Sequence, residues 1–237
     1  MEERENPEER VKIIETEDGS HSLYVPELKE SYHSFHGAYR ESVHVYMLYG
    51  LETWAMRNPQ TYPIRIFELG FGTGLNAWLA LVWAEQHKVP VLYHTIEPYP
   101  LEESVYTALN YAQIDSSISH YAPYFEALHR APWNEGVVVS TYFNMKKEKT
   151  TLQEVQLYPA DVVFYDAFAP SKQPELWDLE VLEKVVASMN YGALLTTYCA
   201  QGAFKRSLSA LHLQVESPKG PPGKKEMTRA WKQIVST

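Results

Sequence analysis

Hydrophobic positions change their spacing several times along this chain, and each change marks an element. Between residues 12 and 25 apolar and polar positions partly alternate, and Glu17-Asp18-Gly19-Ser20 breaks the run with turn-forming residues, which predicts a β-hairpin. Residues 32–39 gather aromatic and histidine side chains around Gly37. Val43, Met47, Leu48, Leu51 and Trp54 then recur at helical spacing until Asn58-Pro59 ends the helix.

From Ile64 onward short apolar runs alternate with helical patterns. Strands are predicted at 64–69, 91–96, 137–143, 162–165 and 193–198. Helices are predicted around Leu75, Trp78, Leu79, Val82 and Trp83, and over 101–111, 121–129, 179–189 and 204–211. Two closing strands, near 212–217 and 226–234, flank the loop 218–223. Alternation of this kind predicts an α/β fold, a Rossmann-like seven-stranded, mostly parallel sheet with helices on both faces and an N-terminal hairpin and helix extension. We expect residues 1–10 to be disordered, 11–60 to pack on the core as that extension, and 61–237 to form the main domain.

Composition narrows the setting. A hydrophobic share of 45% and a charged share of 22% are those of an ordinary soluble protein. The acidic opening MEERENPEER has no apolar stretch like that of a signal peptide, and no later run is long enough to cross a bilayer, so a cytoplasmic protein without membrane contact is expected. One cysteine, Cys199, excludes an intrachain disulfide and a cysteine zinc cluster; His33 and His36 lack a third ligand, so no metal is expected. The formal charge of -9 argues against general coating of nucleic acid. Two basic clusters run against it, Lys146, Lys147 and Lys149, and Lys219, Lys224, Lys225, Arg229 and Lys232. Each reads first as a solvated loop, though together they could make a local basic face.

The strongest local signal is Phe67-Glu68-Leu69-Gly70-Phe71-Gly72-Thr73-Gly74-Leu75-Asn76, set between a predicted strand and a predicted helix. Its glycines let the backbone turn and approach a ligand. The GxGxG spacing differs from a dinucleotide fingerprint and lacks the Lys-Ser/Thr of a phosphate loop. Glu68 would repel a pyrophosphate but can hold an amino-acid ammonium, directly or through water, so the loop favours S-adenosylmethionine over NAD or ATP. Glu97, closing the next strand in Ile96-Glu97-Pro98-Tyr99-Pro100, can accept both ribose hydroxyls. Asp166-Ala167-Phe168-Ala169-Pro170 follows the strand at 162–165 and should face the same crevice. A carboxylate there can orient an amine substrate and take its proton. Lys172, Pro174 and Trp177 share its loop. Tyr32, His33, Phe35, His36 and Tyr39 can line a pocket that stacks on an extruded base, or act as a lid packed on the sheet.

These segments, with Gly223-Lys224-Lys225-Glu226-Met227, resemble the methyltransferase domain of the bacterial bifunctional tRNA wobble-uridine modification enzymes called MnmC, from about residue 20 to the end. The resemblance implies a transferase of tRNA modification and processing. It would convert 5-aminomethyluridine, 2-thiolated or not, to the 5-methylaminomethyl form and release S-adenosylhomocysteine. It places Asp166 beside the amine and the cofactor among Glu68, Gly70, Phe71, Gly72, Thr73, Gly74, Asn76, Glu97, Pro98, Asn144 and Asp166. The substrate would meet Tyr32, His33, Phe35, Tyr39, Phe168, Pro170, Lys172, Trp177, Lys224 and Lys225. The partner implied is the tRNA anticodon arm.

Three departures qualify it. The chain is too short for the family's flavin-dependent oxidase domain, so no flavin is expected and a separate oxidase protein could supply the substrate. Asn144 stands where the family places an Asp toward the adenine, and an amide oxygen can still accept there. Gly220-Pro221-Pro222-Gly223 is stiffer than a basic glycine-rich loop. Two rivals remain open. A methyltransferase for a small amine or another RNA fits the acidic charge, and a non-catalytic binding protein could retain the fold. A nicotinamide oxidoreductase fails on the glycine spacing.

Overall fold

The computed structural model describes residues 10–233; the stretch expected to be disordered lies, apart from Arg10, outside them. Strands β1 (Lys12–Glu15), β2 (His21–Val25) and β3 (Glu30–Ser31) form a small antiparallel sheet. Its first turn is held by Asp18, whose Oδ1 accepts from Ser20 N at 3.0 Å, with Gly19 at a positive φ of 81°. The following helix α1 begins at Ala38–Ser42, widens to a π-helix over Val43–Glu52 and closes at Thr53–Arg57. It therefore starts five residues before the apolar spacing suggests.

Next come β4 (Ile64–Leu69), α2 (Leu75–His87), β5 (Val91–Ile96), α3 (Glu103–Tyr106), α4 (Tyr111–Ile114) and α5 (Ala122–Arg130). The chain continues with β6 (Gly136–Ser140), β7 (Phe143–Glu148), β8 (Ala160–Tyr165), α6 (Leu179–Ser188) and β9 (Met189–Thr197). It ends with α7 (Gly202–Ala210), β10 (Leu213–Glu216) and β11 (Thr228–Lys232). The main sheet runs β10-β11-β9-β8-β4-β5-β7-β6, parallel from β9 to β7 and antiparallel at both ends. Buried on both faces, β8 reads as an unbroken apolar run apart from Asp161. One core lies between the sheet and α1, α2 and α5 around Trp54, Trp78 and Leu128; the other lies against α6 and α7 around Val163, Leu182 and Leu208.

The sheet has eight strands where seven were expected, in the same fold. The extra strand comes from the segment expected as one strand at 137–143, which reverses direction at Thr141-Tyr142. No glycine or proline marks that turn. It is set from outside, because Glu85 Oε1 accepts from Ser140 Oγ at 2.5 Å and Tyr142 N at 2.9 Å. The helix expected over 101–111 is instead the two short helices α3 and α4. Asn110 sits between them with its amide committed to the hairpin, donating to Gly19 O and accepting from His21 N, both at 2.8 Å.

From β4 the chain moves to β5 on one side, while β8 lies on the other. The carboxyl ends of β4 and β8 therefore flank the switch point where a crevice opens.

Candidate active site

A cleft of about 500 Å³ occupies that crevice, walled by the loops after β4, β5 and β8 and by the N-terminal segment. In the first loop Gly70, Gly72 and Gly74 all have positive φ, at 89°, 49° and 74°. Gly70 N and Phe71 N both donate to Ile96 O, at 3.1 and 3.0 Å, which pins the loop to β5. A Cβ at Gly70 would stand 2.7 Å from the Asp166 carbonyl oxygen, so glycine there lets the β4 and β8 loops meet. Gly74 opens α2, and its missing Cβ leaves room for His129.

Glu97 is buried at the cleft wall, accepting from Gly72 N at 3.0 Å and from Tyr99 N at 2.8 Å. Burial raises its carboxyl above the usual range, and these two backbone donors oppose that. Each oxygen keeps a lone pair for a further donor.

Asp166 reaches the cleft just beyond β8. Asn76, in the first turn of α2, donates from Nδ2 to Asp166 Oδ2 at 2.8 Å. Burial pushes the Asp166 carboxyl up to about 7; Glu41 adds to the rise, while Tyr46, Asn76 and Lys224 act against it. Tyr46 comes from the π-helical part of α1, and its hydroxyl is buried without a partner of good hydrogen-bond geometry. The loop after Asp166 is braced by Tyr198 Oη donating to Ala167 O at 2.7 Å and Trp177 Nε1 donating to Phe168 O at 2.9 Å. Tyr32 meets Phe168 edge to face at 5.1 Å and lies over Gly72. His33, its ring Nδ1 within 3.1 Å of Ser22 Oγ, is buried, and desolvation lowers it to about 4, so it is neutral at physiological pH.

The structure thus brings Gly70, Phe71, Gly72, Thr73, Asn76, Glu97, Pro98, Asp166, Tyr32, His33, Phe168 and Lys172 to one cleft. Glu68 lies outside that lining, 0% exposed, with Thr95 Oγ1 donating to its Oε2 at 2.7 Å. Asn144 does not belong to the cleft. It pairs with Leu92 near the start of β5, about 16 Å along the strands from Glu97, and borders a separate cavity with Arg65 and Tyr158. Its strand, β7, ends four residues further on at Glu148, whose carbonyl accepts from Glu97 N at 3.0 Å.

Several expected substrate contacts also stand elsewhere. Trp177 is a buried brace that meets Tyr165 and Phe204 edge to face. Phe35 is 60% exposed and outside the cleft lining, while Tyr39 turns its hydroxyl to Asp115, 3.4 Å away. Pro170, Lys225 and Gly74 are absent from the lining. Lys224 pairs with Glu41 at 2.7 Å and lies 3.9 Å over the Tyr198 ring.

Five of the eight side chains in the basic clusters are engaged within the chain, three of them in ion pairs. Lys147, 1% exposed, donates to Leu128 O and His129 O at the end of α5, and Lys146 pairs with Glu148 at 3.1 Å. Arg229 pairs with Glu216, and Lys232 donates to Val186 O and Met189 O. Lys149, Lys219 and Lys225 are exposed.

Sequence reasoning missed the wall built by Arg10, Val11, Val25, Glu27 and Leu28, which carry no motif, and Tyr99 and Gln173, which adjoin motifs that were seen. It also missed Tyr46, whose place depends on the course of α1. Among the described residues no group of three His, Cys, Asp or Glu side chains could hold a metal, and no helix is long and apolar enough to cross a membrane.

The cleft fits an adenosyl amino acid. Glu97 offers acceptors to a ribose, Pro98 and Tyr99 give a flat apolar wall beside it, and the Gly70–Thr73 backbone leaves space that side chains would fill.

Comparison with known proteins agrees. Residues 115–233 match the family described as S-adenosyl-L-methionine-dependent methyltransferase. The chain is 30% identical over 220 residues to the tRNA 5-methylaminomethyl-2-thiouridine biosynthesis bifunctional protein MnmC of Cupriavidus metallidurans, an alignment covering 87% of this chain and 32% of that protein. It is 28% identical over 187 residues to the protein of the same name from a Marinomonas species, covering 74% and 27%. The chain therefore spans about a third of the length of these curated relatives. Among solved structures, MnmC2 of Aquifex aeolicus superposes with a TM-score of 0.77 at 27% identity, covering 94% of this chain and 70% of that one.

Proposed function

The chain belongs to the family of S-adenosyl-L-methionine-dependent methyltransferases, and we propose that it methylates the primary amine of 5-aminomethyluridine, 2-thiolated or not, at the tRNA wobble position. The observation that carries this reading is Asp166, a half-buried carboxylate oriented by Asn76 and titrating at about 7 where the glycine loop and Glu97 converge. Relatives whose names specify 5-methylaminomethyl-2-thiouridine biosynthesis support the choice of substrate. In this reading residues 11–60 are an extension packed on the core and 61–237 form the methyltransferase domain.

Bound S-adenosylmethionine supplies a methyl group on a positively charged sulfur and leaves as S-adenosylhomocysteine. Glu97 would hold its ribose, and the Gly70–Thr73 backbone its amino-acid end. Asp166 would accept a proton from the substrate ammonium, freeing the nitrogen lone pair, and keep that nitrogen directed at the methyl carbon. Tyr32 and Phe168 would flank the extruded uracil, and Lys172, held by Leu28 O at 2.8 Å, would close that side. Because the transferring group loses positive charge, alignment and the amine's protonation state are what the protein must supply. A separate oxidase protein would provide the aminomethyl group.

A methyltransferase of the same fold for a small amine is the second reading, favoured by the -9 charge and by the engagement of Lys146, Lys147, Lys224, Arg229 and Lys232 within the chain. Competition between tRNA and the free aminomethyl nucleoside decides between them. The proposal expects tRNA bearing the aminomethyl group to be methylated at concentrations where the nucleoside is inert. Equal use of both supports the second reading.

A further inference from the structure

Glu68 and Asn76 leave two buried oxygens unanswered. Glu68 Oε2 accepts from Thr95 Oγ1 at 2.7 Å, but Oε1 has no partner. Asn76 spends Nδ2 on Asp166 at 2.8 Å, and its Oδ1 has no partner either. The two side chains adjoin, and the buried Tyr93 hydroxyl, also unpartnered, completes the cluster. An ionised Glu68 is an acceptor only, so the Asn76 amide oxygen would gain nothing from it. A proton on Glu68 Oε1 makes that atom a donor and answers both orphans in one bond.

We propose that Glu68 is a protonated acid in the working enzyme and acts as a positioning residue. Its Oε1–H donates to Asn76 Oδ1, which fixes the amide so that Nδ2 faces Asp166. Glu68 then orients the amine-facing carboxylate through Asn76 and makes no contact with the cofactor's ammonium. Its complete burial and its absence from the cleft lining agree with this. The surroundings point the same way: desolvation raises Glu68 well above its usual range and the Asp166 charge adds to the rise, while Thr95 Oγ1 and the neighbouring Tyr93 and Asn76 side chains act against it. This rests on the methyltransferase reading only for the role of Asp166.

The test compares Glu68→Gln with wild type. A glutamine can donate to Asn76 Oδ1 and still accept from Thr95, so it mimics the protonated acid. The infrared difference between wild type and E68Q at neutral pH should contain a protonated-carboxyl band, and calorimetry should give S-adenosylhomocysteine affinities within about threefold of each other. Carboxylate bands in the difference spectrum, or a loss of affinity of about thirtyfold or more, would overturn the assignment, because a carboxylate holding the cofactor's ammonium predicts that loss.

Asn76→Leu supplies a second readout. Asp166 is faced by Tyr46 and Glu41 from α1, Lys224 from the C-terminal loop, Tyr198 beyond β9 and Glu68 from β4. Removing the Asn76 amide, which donates to its Oδ2 at 2.8 Å, should move the acid limb of the pH–rate profile up by about one pH unit. A reduced rate with an unmoved profile would mean that Asn76 is structural only. If neither protein binds S-adenosylhomocysteine, the methyltransferase reading of the cleft fails while the infrared band still tests Glu68.

Discussion

Replacing Asp166 with Asn should abolish methyl transfer and stabilise the fold, and the second effect is the more searching test. Asp166 titrates at about 7 in the folded chain against an ordinary value of 3.8, so folding holds its proton more tightly than the unfolded chain does. Between those values the native state binds more protons. Stability contributed by this group is therefore present at low pH and lost as pH rises through the window. Above about 7 the full displacement corresponds to about 4 kcal/mol against the folded carboxylate. Relaxation around a group that reaches the cleft surface should reduce this to about 1–3 kcal/mol. Asparagine keeps an oxygen for the Asn76 amide without the charge. Asp166→Asn should then melt about 2–10 °C above wild type in alkaline buffer, a gap that narrows as pH falls toward 4. Scanning calorimetry across that range measures it. Equal melting temperatures at every pH, or a less stable variant in alkaline buffer, would refute the claim that the fold holds a costly carboxylate at this position.

Three further outcomes follow from the geometry. Gly70→Ala puts a methyl group 2.7 Å from the Asp166 carbonyl at a φ of 89°, and should cost about 1–3 kcal/mol in denaturant melts and weaken cofactor binding by calorimetry. Glu97→Ala removes the acceptor for Gly72 N and Tyr99 N as well as the proposed ribose contact, so cofactor affinity should fall by about 100-fold or more while the far-ultraviolet circular dichroism is kept. Lys147→Met should lower stability by about 1–3 kcal/mol in urea melts, because it leaves Leu128 O and His129 O without the ammonium that caps α5.

The central strands were legible because β4, β5 and β8 are short apolar runs bounded by turn residues, and the glycine loop and Asp166 sit at their ends. Errors came where tertiary contacts decide local structure. Nothing in Ser140-Thr141-Tyr142 announces a turn; Glu85, distant in sequence, makes it. Placing the end of the third strand at Phe143 in turn drew Asn144 into the cofactor set, although β7 continues to Glu148. Residues leaving β7 at the cleft edge are Lys149 and Thr150, which carry no carboxylate. Lys147 reads as a solvated charge in any local pattern, yet two carbonyls and the Trp133 ring, 4.4 Å away, hold it inside. The π-helical turn that carries Tyr46 has no periodic signal; Gly50 lets it lie close against β9, since a Cβ there would meet Thr196 Cγ2 at 2.8 Å. Lys224 lay in a recognisable motif, but its pairing with Glu41 depends on loops far apart in sequence.

The central claim is methylation of a wobble-position amine. Purified protein, labelled S-adenosylmethionine and tRNA carrying 5-aminomethyluridine, followed by digestion and mass spectrometry of the nucleosides, test it most directly. The account predicts label in 5-methylaminomethyluridine or its 2-thio form, with unmodified tRNA and Asp166→Asn unlabelled. Label on another nucleoside, or an unlabelled tRNA from protein that binds the cofactor, would contradict it.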